Sequence, residues 1–267
     1  MIEVQDRPAW FYSAGKTIDP TRPTAVFIHG GQNDHSVWSL QSRYFACHGY
    51  NVLAPDLPGH GRSSGPALAS VEAMSAWLLA LLDAAGIRQA SLIGHSMGSL
   101  IALETARCAP ERVDKLALLG SAFPMKVADA LLTMAREDEP SAISMVNSWS
   151  HLNAFQRSPI PGFNLQGSAQ RLMERLSVIN PEQLLYTDFS ACNNYQQGDA
   201  AAVVIHQHRL PVLFVMAQQD RMTPLKASAR LRAALPDAGS VELAQCGHSM
   251  MAEQPDAVLQ ALVAFLK

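Results

Sequence analysis

The chain predicts an α/β fold with a mostly parallel central sheet flanked by helices and a helical insertion between two of its strands. Three observations carry this. Short apolar runs alternate with amphipathic helical patterns through residues 24–121 and again from about residue 210. Such alternation is the signature of strand–helix–strand units with parallel strands. The runs are apolar on consecutive positions, as in Thr24-Ala25-Val26-Phe27-Ile28, which suits strands covered on both faces. The stretch between the two regions breaks the rhythm and holds helical patterns without a convincing buried strand. The expected division is a core of residues 1–121 and 210–267 with a helical cap of residues 122–209.

Trp10 to Ser13 reads as an early strand. Thr24 to Ile28 is a clearer one and runs into His29-Gly30-Gly31. Ser36 to His48 reads as a helix that Gly49 can end. Asn51 to Ala54 is the next strand, followed by Asp56-Leu57-Pro58-Gly59-His60-Gly61-Arg62-Ser63. Val71 to Ala85 has apolar residues at helical spacing and stops at Gly86. Ala90 to Ile93 is a strand, Met97 to Ala109 a helix, and Val113 to Leu119 a strand. In the insertion, helices are expected at Val127 to Arg136, Ala142 to Trp149, Ala169 to Leu176 and Pro181 to Cys192. The turn-prone Ser158-Pro159-Ile160-Pro161-Gly162 lies among them. Pro211 to Met216 then reads as a strand, Pro224 to Leu235 as a helix, Ser240 to Leu243 as a strand and Pro255 to Leu266 as a helix.

The 267 residues are 48% hydrophobic and 16% charged, enough apolar material for a large core. The net charge is −3 and no Lys/Arg run is present, so the composition points to neither nucleic acid nor an anionic membrane as a partner. Cys47, Cys108, Cys192 and Cys246 form no metal-ligand spacing and read as reduced, mostly buried thiols. No apolar run is long enough for a membrane span, and the N-terminus lacks a signal-peptide pattern. The expectation is a soluble cytoplasmic protein; its oligomeric state is not legible.

Chemistry concentrates in Gly94-His95-Ser96-Met97-Gly98. This is G-x-S-x-G between a strand and a helix, the arrangement that holds a serine on a tight turn with its hydroxyl outward. A serine hydroxyl needs a base, and the base needs an orienting acid. His248, after the last strand, is the candidate base. Asp220, after the strand ending near Met216, is the candidate acid, although it is equally placed to cap the helix opening at Pro224. A backbone N–H at His29-Gly30-Gly31 and that of Met97 would form an oxyanion hole. Gly31 is preferred because it directly follows His29-Gly30, with Gln32 a close second. His29 itself reads as structural.

Other signals are weaker. Gly59-His60-Gly61-Arg62-Ser63-Ser64-Gly65 lacks the spacing and following helix of a nucleotide loop. His206 and His208 have no acidic or thiol partner nearby in sequence. No cofactor and no metal are therefore expected.

Taken together, His29-Gly30, the Asp56 to Ser63 segment, Gly94 to Gly98, Asp220 with Pro224, and Gly247-His248 with Glu253-Gln254-Pro255 resemble the α/β-hydrolase fold superfamily, in its serine-nucleophile, helical-cap form. The resemblance spans nearly the whole chain outside the insertion. It implies acyl transfer through Ser96, with His248 as general base, Asp220 orienting the imidazole, and Gly31 and Met97 as oxyanion donors. The implied partner is a small, mostly apolar ester or related acyl substrate. C–C bond hydrolases and enol-lactonases of aromatic degradation share these motifs, and so do proteins that only bind a small molecule. Substrate-lining candidates are Trp149, His151, Phe155 and Met222, with the segment Asp188 to Tyr195 also expected near the cleft. Arg136, Arg157, Arg171 and Arg175 are the cap residues considered for gripping a substrate carboxylate.

Overall fold

The computed structural model describes residues 1–152 and 164–267. The chain opens with a hairpin of β1 (Ile2–Val4) and β2 (Arg7–Ala9), then β3 (Phe11–Tyr12) and β4 (Thr24–Ile28). There follow α1 (Ser39–Cys47), β5 (Asn51–Pro55), α2 (Val71–Ala84), β6 (Ala90–His95), α3 (Met97–Cys108) and β7 (Val113–Leu119). The insertion contributes α4 (Asp129–Glu137), α5 (Glu139–Ser150), α6 (Leu165–Ile179) and α7 (Leu184–Asn194), and α8 (Gly198–Gln207) leads back. The chain closes with β8 (Val212–Ala217), α9 (Ala229–Ala234), β9 (Gly239–Leu243), α10 (Met250–Glu253) and α11 (Pro255–Leu266).

Seven strands form one sheet in the order β3-β5-β4-β6-β7-β8-β9, parallel except for the antiparallel β3–β5 edge pair. The period-two geometry of a strand deals alternate residues to opposite faces. In β4, Val26 and Ile28 enter one core while Ala25 and Phe27 enter the other. In β8, Val212, Phe214 and Met216 face the first and Leu213, Val215 and Ala217 the second. This is why those strands are apolar at every position. Helix α2 shows the matching logic. The Ser70 side chain accepts the Ala73 N–H at its start, and Val71, Met74, Leu78, Leu81 and Leu82 line its buried face.

Several elements differ from expectation. The β1–β2 hairpin turns through Gln5 (φ +51°) and Asp6 (φ +60°), neither of them glycine. The helix expected from Ser36 is a 3₁₀ turn at His35–Trp38 followed by α1, because the Asp34 carboxylate accepts the Ser36 N–H and starts the turn early. The helix expected from Pro224 is likewise a 3₁₀ turn, Leu225–Ser228, and then the short α9. Helix α8, which the sequence boundary assigned to the insertion, buries Ala201, Ala202 and Ile205 in the main core beside α3. Of the four free thiols, Cys192 and Cys246 are buried, but Cys47 and Cys108 are exposed, since each sits on the outer side of its helix end. No helix among the described residues is long and apolar enough to cross a membrane.

Helices α4 to α7 carry an apolar cluster of their own, with Leu131, Ile143, Val146, Met173, Leu185 and Phe189 buried together. They stand over the C-terminal ends of the parallel strands, where this class of sheet leaves a crevice. Ser96, Asp220 and His248 all lie just beyond such ends.

Candidate active site

Ser96 joins β6 directly to α3 at φ +52° and ψ −119°, a left-handed conformation strained for any residue with a Cβ. The turn is tight enough to demand glycine on both sides. A Cβ on Gly98 would lie 2.6 Å from the His29 carbonyl oxygen, and one on Gly94 would lie 2.7 Å from the Ser99 amide nitrogen. The first turn of α3 leaves its leading N–H groups, that of Met97 among them, without helical acceptors.

His248 and Asp220 meet from the ends of β9 and β8. The imidazole Nδ1 lies 2.7 Å from Asp220 Oδ2, and both residues are buried. A proton on Nδ1 donated to the carboxylate leaves Nε2 with its lone pair available. Asp220 is held in turn: the Met222 and Thr223 N–H groups donate to Oδ1 at 2.8 and 2.7 Å, and Thr223 Oγ1 lies 2.8 Å from Oδ2. Burial alone would raise the Asp220 pKa, but His248 and the Thr223 bonds outweigh it and hold the carboxyl below its ordinary value. Asp220 therefore does more than close the turn before Pro224. Ser96 and His248 line one cavity together with Gly30 and Gly31.

Two further histidines lock the loops. His29 Nδ1 donates to the Gly30 carbonyl at 2.8 Å and its Nε2 accepts the Leu57 N–H at 3.1 Å, tying the end of β4 to the end of β5. Complete burial, with the nearby His60, lowers its pKa to about 4, so the ring is neutral as this bonding requires. His95 Nε2 donates to the His248 carbonyl at 2.9 Å, and burial followed by the proximity of His248 lowers its pKa to about 3. The sequence reading assigned no role to His95, although it is the residue before Ser96.

The two oxyanion candidates on the β4 loop differ. The Gln32 N–H is already donated to Asp188 Oδ2 at 2.7 Å. Among the described residues no acceptor takes the Gly31 N–H, and Gly31 lines the cavity beside Ser96 and Met97.

A cavity of about 200 Å³ opens from Ser96 toward the insertion, walled by Met125, Leu131, Phe189 and Met222. Trp149 lines it as well. His151 instead lines a smaller adjoining recess of about 60 Å³, which shares Gly31, Ser96, Phe189 and Met222 with the first. Phe155, Arg157 and the Ser158 to Gly162 turn lie outside the described residues. Phe189 and Cys192, within the expected Asp188 to Tyr195 segment, do face the cavity. Arg136, Arg171 and Arg175 are exposed and line neither recess. Its cationic lining comes from Lys126 and from Arg221, whose guanidinium stands 5.8 Å from the Trp149 ring centre. Neither cation was singled out from sequence, though Arg221 directly follows Asp220.

Asp34, His35 and Asp56 bring three ligand atoms within 4.8 Å of one another, the arrangement closest to a metal site among the described residues. Part of their bonding capacity is taken up within the protein: Asp34 Oδ1 accepts from Ser36, Asp56 Oδ1 from His35 and Asp56 Oδ2 from Arg62. His206 and His208 are exposed at the end of α8.

Comparison with known proteins agrees with this architecture. A family model described as alpha/beta hydrolase fold matches residues 23–255. Mouse Protein ABHD8 is 27% identical over 249 residues, covering 90% of this chain and 54% of that protein, so the chain spans about half the length of the first such relatives. A 2-hydroxy-6-oxo-6-phenylhexa-2,4-dienoate hydrolase of Burkholderia cepacia is 28% identical over 253 residues, covering 90% of this chain and 86% of that one. In three dimensions, the enol-lactonase of Burkholderia xenovorans superposes with a TM-score of 0.82 at 21% identity, covering 98% of each chain. With its parallel sheet, its strained serine turn and a family match over most of its length, this chain belongs to the alpha/beta hydrolase fold family.

Proposed function

We propose that the chain is a serine hydrolase that cleaves a small, mostly apolar ester or related acyl substrate through an acyl-enzyme on Ser96. The observation that supports it best is Ser96, strained at φ +52° on a cavity wall shared with His248, whose Nδ1 is held 2.7 Å from Asp220. In this reading His248 Nε2 takes the Ser96 proton as Oγ attacks the acyl carbon. The tetrahedral oxyanion accepts the Gly31 and Met97 N–H groups, each typically contributing about 3 kcal/mol to its stabilisation. His248 then protonates the leaving group and activates water for deacylation, while Asp220 stabilises the imidazolium. Helices α4 to α7 act as a cap that shields the acyl-enzyme from bulk water and shapes the apolar recess.

A second reading, C–C or enol-lactone hydrolysis of an anionic substrate, is favoured by Lys126 and Arg221 at the cavity. The relatives carrying those activities in their names share this fold.

Hydrolysis of a p-nitrophenyl ester series by wild type and Ser96→Ala separates the readings. Turnover abolished in the variant, with an optimum at short acyl chains, is expected. No turnover of any ester by folded wild type would overturn the esterase reading and direct the assay to C–C substrates or to ligand binding.

A further inference from the structure

Asp188 lies on α7, in the insertion, yet its carboxylate reaches the loop after β4. Its Oδ2 accepts the Gln32 N–H at 2.7 Å and a proton from His60 Nε2 at 2.9 Å, and both side chains are fully buried. We infer that Asp188 is a positioning residue for the oxyanion hole: it fixes Gly31 through the Gln32 amide, with its charge balanced by a protonated His60.

The proton count follows from the bonding. His60 Nδ1 faces the Pro58 carbonyl at 3.1 Å while Nε2 faces the Asp188 carboxylate. Two acceptors require two N–H donors, which only the imidazolium has. Burial opposes that charge, but Asp188 first, and then the Pro58 bond and Asp56, outweigh it and raise the His60 pKa. A lone buried carboxylate beside the oxyanion loop would repel the developing negative charge; a neutral pair does not.

The loop needs such an anchor. Gln32 is fully buried at φ +46°, a conformation its Cβ disfavours. Its side chain is clasped as well, with Nε2 donating to Ser177 Oγ at 2.7 Å and to the Met173 carbonyl at 3.1 Å, both on α6. The residue next to Gly31 is thus held by α6 and α7, with Glu139 at the start of α5 a further 3.4 Å acceptor for its Nε2. A Cβ on Gly31 would lie 3.3 Å from that of Asp188, so the loop rests directly on the anchoring side chain.

The inference rests on the reading of Gly31 as an oxyanion donor. Its test compares wild type, Asp188→Ala and Asp188→Asn, with active sites counted by a fluorophosphonate. Asp188→Ala is expected to lower kcat on a p-nitrophenyl ester by about 10- to 100-fold with KM within about threefold, because a misaimed donor is felt mainly in the transition state. Affinity for an alkyl boronic acid, which presents a tetrahedral anion to Ser96, should fall by a similar factor. Asp188→Asn should recover kcat to within about tenfold of wild type, since its amide oxygen, placed where Oδ2 lies, accepts both the Gln32 N–H and the Nε2–H of a neutral His60, which gives up only the Pro58 contact. Asp188→Ser, too short to reach Gln32, substitutes for the Ala variant if that does not fold. Unchanged kcat per active site in the Ala or Ser variant overturns the inference, as does an Asn variant no better than Ala. Hydrogen exchange of the Gln32 amide separates this from a failure of the hydrolase reading. Exchange at least about tenfold faster in Asp188→Ala supports the anchor even if no ester is turned over, and unchanged exchange refutes it.

Discussion

Replacing Gly98 by alanine tests whether the Ser96 turn is as tightly built as its geometry indicates. The added Cβ would lie 2.6 Å from the His29 carbonyl oxygen and nearer still to that of Ile28, both backbone atoms of a buried strand and its loop. Ordinary contact begins near 3.5 Å, so α3 must move by about 0.9 Å or more. Gly98 is the second residue of α3, where alanine is otherwise favoured over glycine by about 1 kcal/mol. Overpacking of a rigid core costs about 1–3 kcal/mol, so after the propensity gain a net loss of up to about 2 kcal/mol in unfolding free energy is expected. Because the displaced turn carries both Ser96 and the Met97 N–H, a shift near 1 Å should lower ester turnover about 100-fold. Gly86→Ala is the control: its φ is +68° but nothing lies within 4 Å of its Cβ, so it should cost about 1 kcal/mol of stability and leave turnover intact. Urea unfolding and p-nitrophenyl ester kinetics on both variants provide the readout. A Gly98→Ala protein as stable and as active as wild type would refute the reasoning, because it would mean that β4 yields freely to α3.

Two other expectations concern the histidines and Thr223. Thr223→Val removes the hydroxyl 2.8 Å from Asp220 Oδ2 and should lower stability by about 1–2 kcal/mol and turnover severalfold; unchanged melting and kinetics would show that the two backbone N–H bonds alone suffice to hold Asp220. His29 and His95 have folded pKa values of about 4 and about 3 against about 6.5 unfolded, so the unfolded chain binds more protons between these limits. Stability should therefore fall as pH drops below about 6.5, continuing through 4 for His29 and toward 3 for His95. His95→Gln, whose amide still donates to the His248 carbonyl, should flatten that fall by up to about 1.4 kcal/mol per pH unit. His60 has the opposite sign: its raised pKa contributes stability below about 6.5 that is lost as pH rises through its folded value. Melting temperatures across pH 3.5–9 test both, and a His95→Gln profile parallel to wild type would contradict the assignment.

Strands such as Thr24–Ile28 and Val113–Leu119 were legible because burial on both faces gives them consecutive apolar residues, Ala25 to Ile28 in the first and Leu116 to Leu119 in the second. Helix α11 was legible from Pro255 at its start and its apolar spacing. The β1–β2 hairpin was not, because its turn uses Gln5 and Asp6 in left-handed conformations where Asn-Gly or Gly would have signalled it. Helix α8 was missed because alanine supplies much of its buried face while Val203 is exposed. Around the candidate site, the motif spacing and chain order foreshadowed that Asp220 and His248 would approach each other. Asp188, 156 residues from Gln32 and 128 from His60, has no such signature. It sits mid-helix in a polar-aromatic stretch, and only tertiary packing reveals what its carboxylate accepts. Lys126 and Arg221 were hidden for a similar reason, since exposed cations on loops carry no pattern that distinguishes the rim of a recess from open surface.

The insertion leaves the sheet after β7 and returns to β8, its immediate neighbour. Such a segment can be exchanged as a cassette without rethreading the core, which invites grafting of foreign caps to change specificity. The Gln32–Asp188–His60 contact limits that freedom. A donor cassette with no acceptor at the position of Asp188 would leave a backbone N–H and an imidazole N–H buried without partners, a defect of about 1–3 kcal/mol each. Grafts onto this scaffold should therefore keep the aspartate, since replacing His60 alone would still leave the Gln32 N–H without its acceptor.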